Sequence, residues 1–468
     1  MTHLIPRNQL RRYLGRSFTL LIFSIFVMTY TGCIGGVNLV PLSAKIQNAD
    51  NAFDEAEAVS TRSEDAEEKQ KAKAKKQQLY EKAMSLYLEI IERDSKGKYA
   101  QRAHFQIGEI YKRSYEWDKA NEHYQAIVDL DPTGYYASEA KASIAGILKN
   151  RQLISQELAN YQNYKALYDT EGSDEAYDIA AQSLYKVAQA YEALENYPEA
   201  ITSYERMVEE FPKHDKSVQA QNQVGNIYFY KLYDYTNSGG WGAFVAVVQK
   251  FPDTYEAEQV TTMLKKTDLL LTEIKQLQDE IQRNKSKKAQ LYEEMGRYVL
   301  PSEKWLQGKT DLIVQNYQQI AKNWEEIRNY PNAVDTYKVL IKDLSHKKFA
   351  VADALYRAAY LYQQNGQYER AIGAYENLFD NAAESTWRNE AVYQQAVCFR
   401  AIREFSQAYE GFKTYMSLTK GDTPYFREAE QIVRQYELDQ DQDGYKFYVE
   451  QENGTSDQDP NSYPGAGN

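Results

Sequence analysis

Near the carboxyl end of the chain, carboxylates recur at every second position and a glycine follows them. Alternating carboxylates can converge on one hard cation, Gly444 permits the tight turn between them, and a last acid can close the shell with both oxygens. The spacing predicts a weak calcium site, with a helix over residues 425–437 leading into it. The predicted ligand positions are Asp439, Asp441, Asp443, Tyr445 and Glu450.

The segment resembles the calcium loop of an EF-hand, D-x-[DN]-x-[DN]-G-x5-E. Two features disfavour calcium: Lys446 replaces the apolar residue usual after the turn, and the exit sequence after Glu450 is a poor helix former. The alternative is a chance match in an acidic tail. The polar residues beyond Glu450 are typical of a disordered end.

Residues for other chemistry are scattered. The five histidines form no i, i+4 ligand pair, and no nucleophile elbow, Walker loop or paired cysteines occur. Cys398 is interpreted as a small core residue. A net charge of −12 disfavours nucleic-acid binding, because phosphate backbones repel an acidic protein. We therefore predict that the chain is not an enzyme and binds no cofactor apart from calcium at this loop.

One pattern dominates the rest of the chain: an aromatic residue, an alanine three positions later and a second aromatic four positions after that. This spacing places all three residues on one face of a helix. The small alanine lets a neighbouring helix approach, and the rings fill the groove beside it. The copies are Tyr80/Ala83/Tyr87, Trp117/Ala120/Tyr124, Tyr197/Ala200/Tyr204, Tyr330/Ala333/Tyr337, Tyr368/Ala371/Tyr375 and Phe405/Ala408/Phe412.

With the residues around them, the copies resemble the tetratricopeptide repeat (TPR), a helix–turn–helix unit of about 34 residues. Gly108, Tyr111, Ala120, Tyr124 and Pro132 match its pattern with every spacing correct. A further copy, Gly225 to Pro252, has extra residues around Gly239, and residues 138–169 are interpreted as a degenerate repeat. The resemblance covers about two thirds of the chain. It implies an all-α, TPR-type α-solenoid.

A long segment between the repeats carries apolar residues at alternating spacings of three and four, namely Leu264, Leu270, Ile274, Leu277, Ile281, Leu291 and Met295. This stripe predicts either a long helix packed on the repeats or a coiled-coil seam for self-association. The connector divides the solenoid into two arrays. The predicted organisation is a signal peptide (1–32), a linker (33–63), an N-terminal array (64–255), a long helical connector (256–310), a C-terminal array (311–437) and an acidic tail (438–468).

The amino-terminal segment has the features of an export signal. Arg7, Arg11, Arg12 and Arg16 precede an apolar run over residues 17–30 that is too short to span a bilayer comfortably. The run ends at Thr-Gly-Cys33, which resembles a bacterial lipobox. That resemblance implies cleavage before Cys33 and its lipidation, with Tyr30 departing from the usual leucine. The alternative is an ordinary secretory signal followed by an unrelated cysteine.

In TPR proteins the first helices line a concave groove that binds peptides. By resemblance, the groove of this chain presents amides, which can pair with an extended backbone, and tyrosines, which provide contact area. The alternative for several of the tyrosines is simple packing between helices. The groove positions are Phe105, Glu109, Tyr185, Gln189, Asn222, Asn226, Tyr230, Gln318, Lys322, Tyr356, Tyr360 and Tyr393.

A lipobox followed by acidic repeats is similar to the BamD-like lipoproteins of outer-membrane assembly and to the TPR protein of the Tol-Pal system. The run from Gly108 to Ala140 carries this similarity. It implies a scaffold for protein or peptide partners, anchored by lipid to the outer membrane and facing the periplasm. The alternative is a structural scaffold of a secretion or motility apparatus that self-associates through the connector.

Overall fold

The computed structural model of the chain describes residues 41–59, 66–295, 303–382, 386–419 and 425–440, most of 444–458, and the single residues 421, 423 and 464. Throughout these residues the regular structure is helical, with eighteen α-helices and no strand, which confirms the predicted all-α fold. The chain divides into two compact units: Met1–Val59 with Lys71–Ala103, and Ser60–Gln70 with His104–Asn468.

In the first unit, helix α1 (Leu42–Ala58) lies against helix α2 (Ala66–Arg93), with the rings of Phe53 and Tyr80 5.9 Å apart. Apolar residues at spacings of three and four make α1 amphipathic and bury one face of it. The segment 33–63, predicted as a linker, therefore contains a helix. Helix α3 (Lys98–Arg113) begins in this unit and ends in the second.

A polar cluster lies inside the first unit. Asp50 is almost completely buried, and its carboxylate accepts hydrogen bonds from Tyr87 Oη at 2.7 Å and from Arg102 Nη2 at 2.5 Å. A buried carboxylate is tolerated when charged and neutral donors satisfy it together.

The second unit contains the remaining helices, most of them in antiparallel pairs joined by short turns. They are α4 (Trp117–Leu130), α5 (Tyr135–Glu171), α6 (Asp174–Ala193), α7 (Tyr197–Glu210), α8 (Lys216–Asn226), α9 (Gly240–Lys250), α10 (Tyr255–Met295), α11 (Glu303–Glu326), α12 (Tyr330–Asp343), α13 (Lys348–Gln364), α14 (Tyr368–Asn381), α15 (Arg388–Ala401), α16 (Phe405–Thr419), α17 (Phe426–Tyr436) and α18 (Phe447–Asn453).

The aromatic–alanine cores form the interior of the repeats, as their spacing predicts. The central alanine of every copy is fully buried, and the second aromatic is 0–4 % exposed. In several copies this buried ring is a tyrosine whose hydroxyl donates to the first helix of its own pair: Tyr204 to Glu192, Tyr337 to Glu325 and Tyr375 to Gln363, each at 2.9 Å. The bond satisfies the one polar atom that the buried ring carries.

The turns within the pairs share one backbone conformation. The residue two positions before the core aromatic has a positive φ in five repeats: Tyr115, Glu195, Arg328, Gly366 and Arg403. The next residue donates its N–H to the carbonyl of the aromatic five positions earlier, as Asn329 does to Trp324 at 2.8 Å. This is the Schellman arrangement that ends a helix on a left-handed residue.

The two long helices differ from the repeats. Residues 138–169, predicted as a degenerate repeat, lie in the uninterrupted helix α5, whose 37 residues contain no proline and only an isolated glycine, Gly146. Helix α10 packs along α11, and it buries Leu264, Ile274 and Ile281 from the predicted stripe within the same chain. The side chains of Leu291 and Met295 lie outside the described residues.

The extra residues before Gly239 form a loop between α8 and α9 that follows a π-helical turn, Ile227–Lys231. The ring of Tyr235 packs edge-on against Phe229, with centroids 4.5 Å apart, and stacks on Trp324 of α11 at 6.4 Å. Its hydroxyl oxygen accepts a 3.2 Å hydrogen bond from Asn329 Nδ2. The loop therefore connects the repeat formed by α8 and α9 directly to the turn between α11 and α12.

Candidate functional site

First helices of successive repeats contact one another, α6 with α8 and α13 with α15, and the long helix α10 contacts α8. Polar bridges cross between them. Gln318 Nε2 of α11 donates to Asp353 Oδ2 of α13 at 3.0 Å, and Tyr356 Oη of α13 donates to Glu390 Oε1 of α15 at 2.8 Å. Apart from Tyr230, the predicted groove positions lie on the first helices α3, α6, α8, α11, α13 and α15, and we refer to these helices together as the layer of first helices.

The twelve groove positions fall into three groups by exposure. Gln189 and Lys322 are exposed, whereas Tyr185, Tyr356 and Tyr393 are buried. The half-buried positions are Phe105, Glu109, Asn222, Asn226, Tyr230, Gln318 and Tyr360. Several of these side chains bond within the chain: Glu109 accepts from Tyr124 Oη at 2.6 Å, and Asn226 Nδ2 donates to Gln223 at 2.6 Å. The layer thus presents an amide-rich surface over buried rings.

The three buried tyrosines support this surface from below. Tyr356 stacks on Trp387 with centroids 4.4 Å apart, and Tyr393 stacks on Tyr425 at 4.5 Å. Burial raises the pKa of Tyr356, and the neighbouring Glu390 raises it further. Burial likewise raises the pKa of Tyr185, with a contribution from the charge of Glu192. All three hydroxyls stay protonated and can act as hydrogen-bond donors at neutral pH.

Sequence reasoning missed the aromatic and acidic residues that adjoin these tyrosines. Trp387 and Tyr425 are half-buried beside the stacked rings, and Glu390 is half-buried beneath Tyr356. The sequence did carry a signal for the acidic residues. Asp353 and Glu390 each lie three residues before a groove tyrosine and so share its helix face. Together they make the C-terminal half of the layer aromatic and acidic.

A histidine pair was also missed. Nδ1 of His104 in α3 lies 3.0 Å from Nδ1 of His123 in α4, and the His123 ring stacks on Tyr111 with centroids 5.6 Å apart. Burial, together with the charge of His123, lowers the pKa of His104 to about 4. The two histidines are far apart in sequence, so only the folded hairpin brings them together.

The predicted calcium loop is described in part. Asp439 is half-buried, Tyr445 is exposed, and Glu450 is fully buried in the short helix α18. Asp441 and Asp443 lie outside the described residues. Within the described part of the chain, no three histidine, cysteine, aspartate or glutamate side chains are grouped so as to hold a metal ion.

The predicted signal peptide and Cys33 lie outside the described residues. Among the helices that the structure does describe, none is long and apolar enough to cross a membrane. Cys398 is buried in α15, and burial, with a contribution from the charge of Glu369, raises the pKa of its thiol to about 12. A thiol with that pKa stays protonated, as expected of a core residue.

The comparison with known families agrees with the geometry. Residues 102–134, 182–214 and 353–385 match the model of the tetratricopeptide repeat. They correspond to the pairs α3/α4, α6/α7 and α13/α14, so the chain carries TPR units of the kind that form protein-interaction scaffolds. No curated protein shows significant sequence similarity to the chain.

Two of the solved structures that the chain resembles are described as TPR proteins. The TPR2AB domain of yeast Sti1, in a complex with pHSP90, is 14 % identical, the match covers 72 % of this chain and 98 % of that chain, and the TM-score is 0.23. A tetratricopeptide repeat protein from Parabacteroides merdae is 14 % identical, covers 71 % and 97 %, and has a TM-score of 0.19. Scores this low do not bear on function.

Proposed function

We propose that this chain is a non-catalytic scaffold that binds an extended segment of a protein partner along its layer of first helices. The observation that carries the proposal is the row of amides on successive first helices: Gln189 on α6, Asn222 and Asn226 on α8, and Gln318 on α11. Amide side chains can pair with both the N–H and the C=O groups of an extended backbone, so they suit a peptide without demanding one side chain.

The same proposal places the scaffold in a bacterial envelope complex, with a lipid on Cys33 holding it to the outer membrane and the repeats facing the periplasm. The basic n-region, the apolar run and the Thr-Gly-Cys33 sequence support this location. The similarity to BamD-like lipoproteins makes assembly of outer-membrane proteins the role we propose.

The self-associating alternative has weaker support. It requires a free apolar stripe on the connector, but the described residues of that stripe belong to, or pack against, a hydrophobic core cluster of their own chain. Leu269, on the opposite side, is 71 % exposed and stands alone among charged neighbours.

Photo-cross-linking in the native cell tests the binding layer. A cross-linking residue at 189 or 322, both exposed on first helices, should capture the same partner of defined mass. Positions 202 and 338, exposed on the second helices of the same pairs, serve as matched controls and should capture much less. Equal capture at all four positions, or capture from the second helices alone, would contradict the proposed groove.

The membrane anchor is tested separately. Cys33→Ser should move the chain from the outer-membrane fraction to the soluble periplasmic fraction, since a single serine cannot accept the lipid. An unchanged distribution would show that another element attaches the protein. Identification of the cross-linked partner as an outer-membrane barrel or its assembly machinery would support the proposed role, and a second copy of this chain would support the alternative.

A further inference from the structure

Five aromatic rings form one cluster at the C-terminal end of the layer of first helices. Besides its stack on Trp387, the ring of Tyr356 lies nearly parallel to that of Tyr360, with centroids 6.3 Å apart. Tyr393 and Tyr425 form the second stack. Burial has the largest effect on the pKa of Tyr356, and Tyr425 and Tyr360 are close enough to raise it as well. The two stacks therefore adjoin, and we call these five residues the aromatic cluster.

Carboxylates lie beside both stacks. Glu390 is half-buried and accepts one hydrogen bond, from Tyr356 Oη at 2.8 Å, although a carboxylate has about four acceptor sites. Burial raises the pKa of Tyr393, and its hydrogen bond to Glu428, which is exposed, raises it further. Because Tyr360, Trp387 and Tyr425 are only half-buried, rings and carboxylates are both accessible from the surface of the layer.

Elsewhere in the chain, bonds from a tyrosine to a carboxylate are completed by a cation of the same chain. Tyr161 Oη donates to Glu210 at 2.7 Å, and Arg206 donates to both partners at 2.7 Å while its guanidinium lies 4.6 Å from the centre of the tyrosine ring. The cation thus pairs with the carboxylate and contacts the ring at once. Two further examples are Tyr317/Asp343/Lys285 and Tyr409/Glu437/Lys413.

The bond between Tyr356 and Glu390 has no such cation. Within the part of the chain that the structure describes, no lysine or arginine forms a salt bridge with Glu390 or lies over the ring of Tyr356 or Trp387. Arg400 acts on the other stack, where it opposes the rise that burial and Glu428 cause in the pKa of Tyr393. The arrangement at Glu390 therefore matches the three examples above except for the positive charge.

We propose that the aromatic cluster and Glu390 bind an arginine side chain of the partner segment, an inference that rests on the proposed function. A planar guanidinium can stack on an aromatic ring and donate two hydrogen bonds to one carboxylate, whereas the ammonium of lysine is a strongly hydrated point charge. The amides of α6, α8 and α11 would then hold the backbone of the segment, and the cluster would select one of its side chains.

Selection from a degenerate library of short peptides tests the proposal without knowledge of the partner. Peptides retained by the immobilised full chain are sequenced by mass spectrometry, and arginine should be enriched above lysine at one position. The best peptide is then made again with citrulline, which keeps the shape of arginine but has no charge. Fluorescence anisotropy should show about tenfold or more weaker binding of the citrulline peptide.

Two variants test whether this difference arises at the cluster. Glu390→Gln should abolish most of the preference for arginine over citrulline, and its amide oxygen can still accept from Tyr356, so the fold is kept. Trp387→Leu should reduce the preference by about threefold, because it removes one ring from the cluster. Glu376→Gln, an exposed change on the second helix α14, is the matched control and should keep the preference. Circular dichroism checks that each variant remains helical.

The outcomes separate this inference from the proposed function. Retained peptides without enriched arginine, equal enrichment of lysine, or a preference that survives in Glu390→Gln would overturn the arginine site while the peptide-binding groove stands. An equal loss in Glu376→Gln would also overturn it, since it would indicate diffuse attraction of cations to an acidic protein. If the wild type retains no peptide at all, the proposed function fails and this inference fails with it.

Discussion

Tyr136 Oη donates a 2.6 Å hydrogen bond to Glu369 Oε1, although 233 positions separate the two residues. Tyr136 lies at the start of α5 and Glu369 at the start of α14, so the early and late repeats of the second unit touch directly. Burial raises the pKa of Tyr135, the residue before Tyr136, and the charge of Glu369 raises it further. The two predicted arrays are thus joined at this bond as well as through helix α10.

A double-mutant cycle measures this long-range bond. Tyr136→Phe and Glu369→Ala should each destabilise the second unit by about 1.5–3 kcal/mol, because each removes a hydrogen bond to a charged acceptor. The double variant should lose less than the sum of the two in thermal unfolding. Glu139→Gln, an exposed change on the same helix, should have little effect. Strictly additive losses would mean that the two side chains do not interact in solution.

A glycine is required in the first helix α8, where Gly225 lies against the buried ring of Phe244. A Cβ at Gly225 would lie 2.4 Å from Phe244 Cδ1, so Gly225→Ala should destabilise the fold by about 1–3 kcal/mol through overpacking. Gly146→Ala in α5 meets no atom within 4 Å and should stabilise by about 0.5–1 kcal/mol through helix propensity. Chemical denaturation of both variants checks the opposite signs, and a stable Gly225→Ala would show that Phe244 moves freely.

The repeats could be predicted because their signal is local. The spacing of three and four within each core fixes a helix face, and Ala200 with Tyr204 is fully buried as that face requires. The hydrogen bonds from the core tyrosines to the first helices could also have been predicted. Glu192, which accepts from Tyr204, directly follows Tyr191, the aromatic that ends the pattern of the first helix.

The contacts that distinguish this chain from a regular solenoid could not be predicted. The His104–His123 pair, the Tyr136–Glu369 bond and the stacking of Tyr235 on Trp324 depend on how helices are placed, which periodicity does not encode. Residues 138–169 were interpreted as a degenerate repeat because they have helical periodicity without the aromatic–alanine core; periodicity does not show where one helix ends and the next begins, and these residues lie in the single helix α5.

Two residues at the same turn position of neighbouring repeats should give stability changes of opposite sign, because one substitution introduces a glycine and the other removes one. Arg403 is exposed and has φ +60°, whereas Gly366 has φ +71° at the same place in the preceding repeat. Arg403→Gly should stabilise by about 0.5–1 kcal/mol by relieving left-handed strain, and Gly366→Ala should destabilise by about 1 kcal/mol. Thermal unfolding of both variants gives the signs. A loss of stability in Arg403→Gly would mean that the arginine side chain contributes more than its backbone strain costs.

The histidine pair predicts how stability depends on pH. The pKa of His104 is about 4 in the folded chain, because of burial and the charge of His123, and near 6.5 when unfolded; burial also lowers the pKa of His123. The unfolded state therefore binds more protons below pH 6.5, and stability should fall as the pH drops from about 6.5 towards 4. Protonating both rings would also break the Nδ1–Nδ1 hydrogen bond, which needs one acceptor.

The double variant His104→Phe/His123→Phe isolates this effect, since the carboxylates of the chain titrate alike in both proteins. Melting temperatures should be recorded for wild type and variant at steps between pH 7.5 and 4.5. The wild type should lose more stability than the variant across this range, and most of the difference should arise below pH 6.5. Parallel curves would show that the two rings separate in solution and take up protons freely, contrary to the 3.0 Å contact.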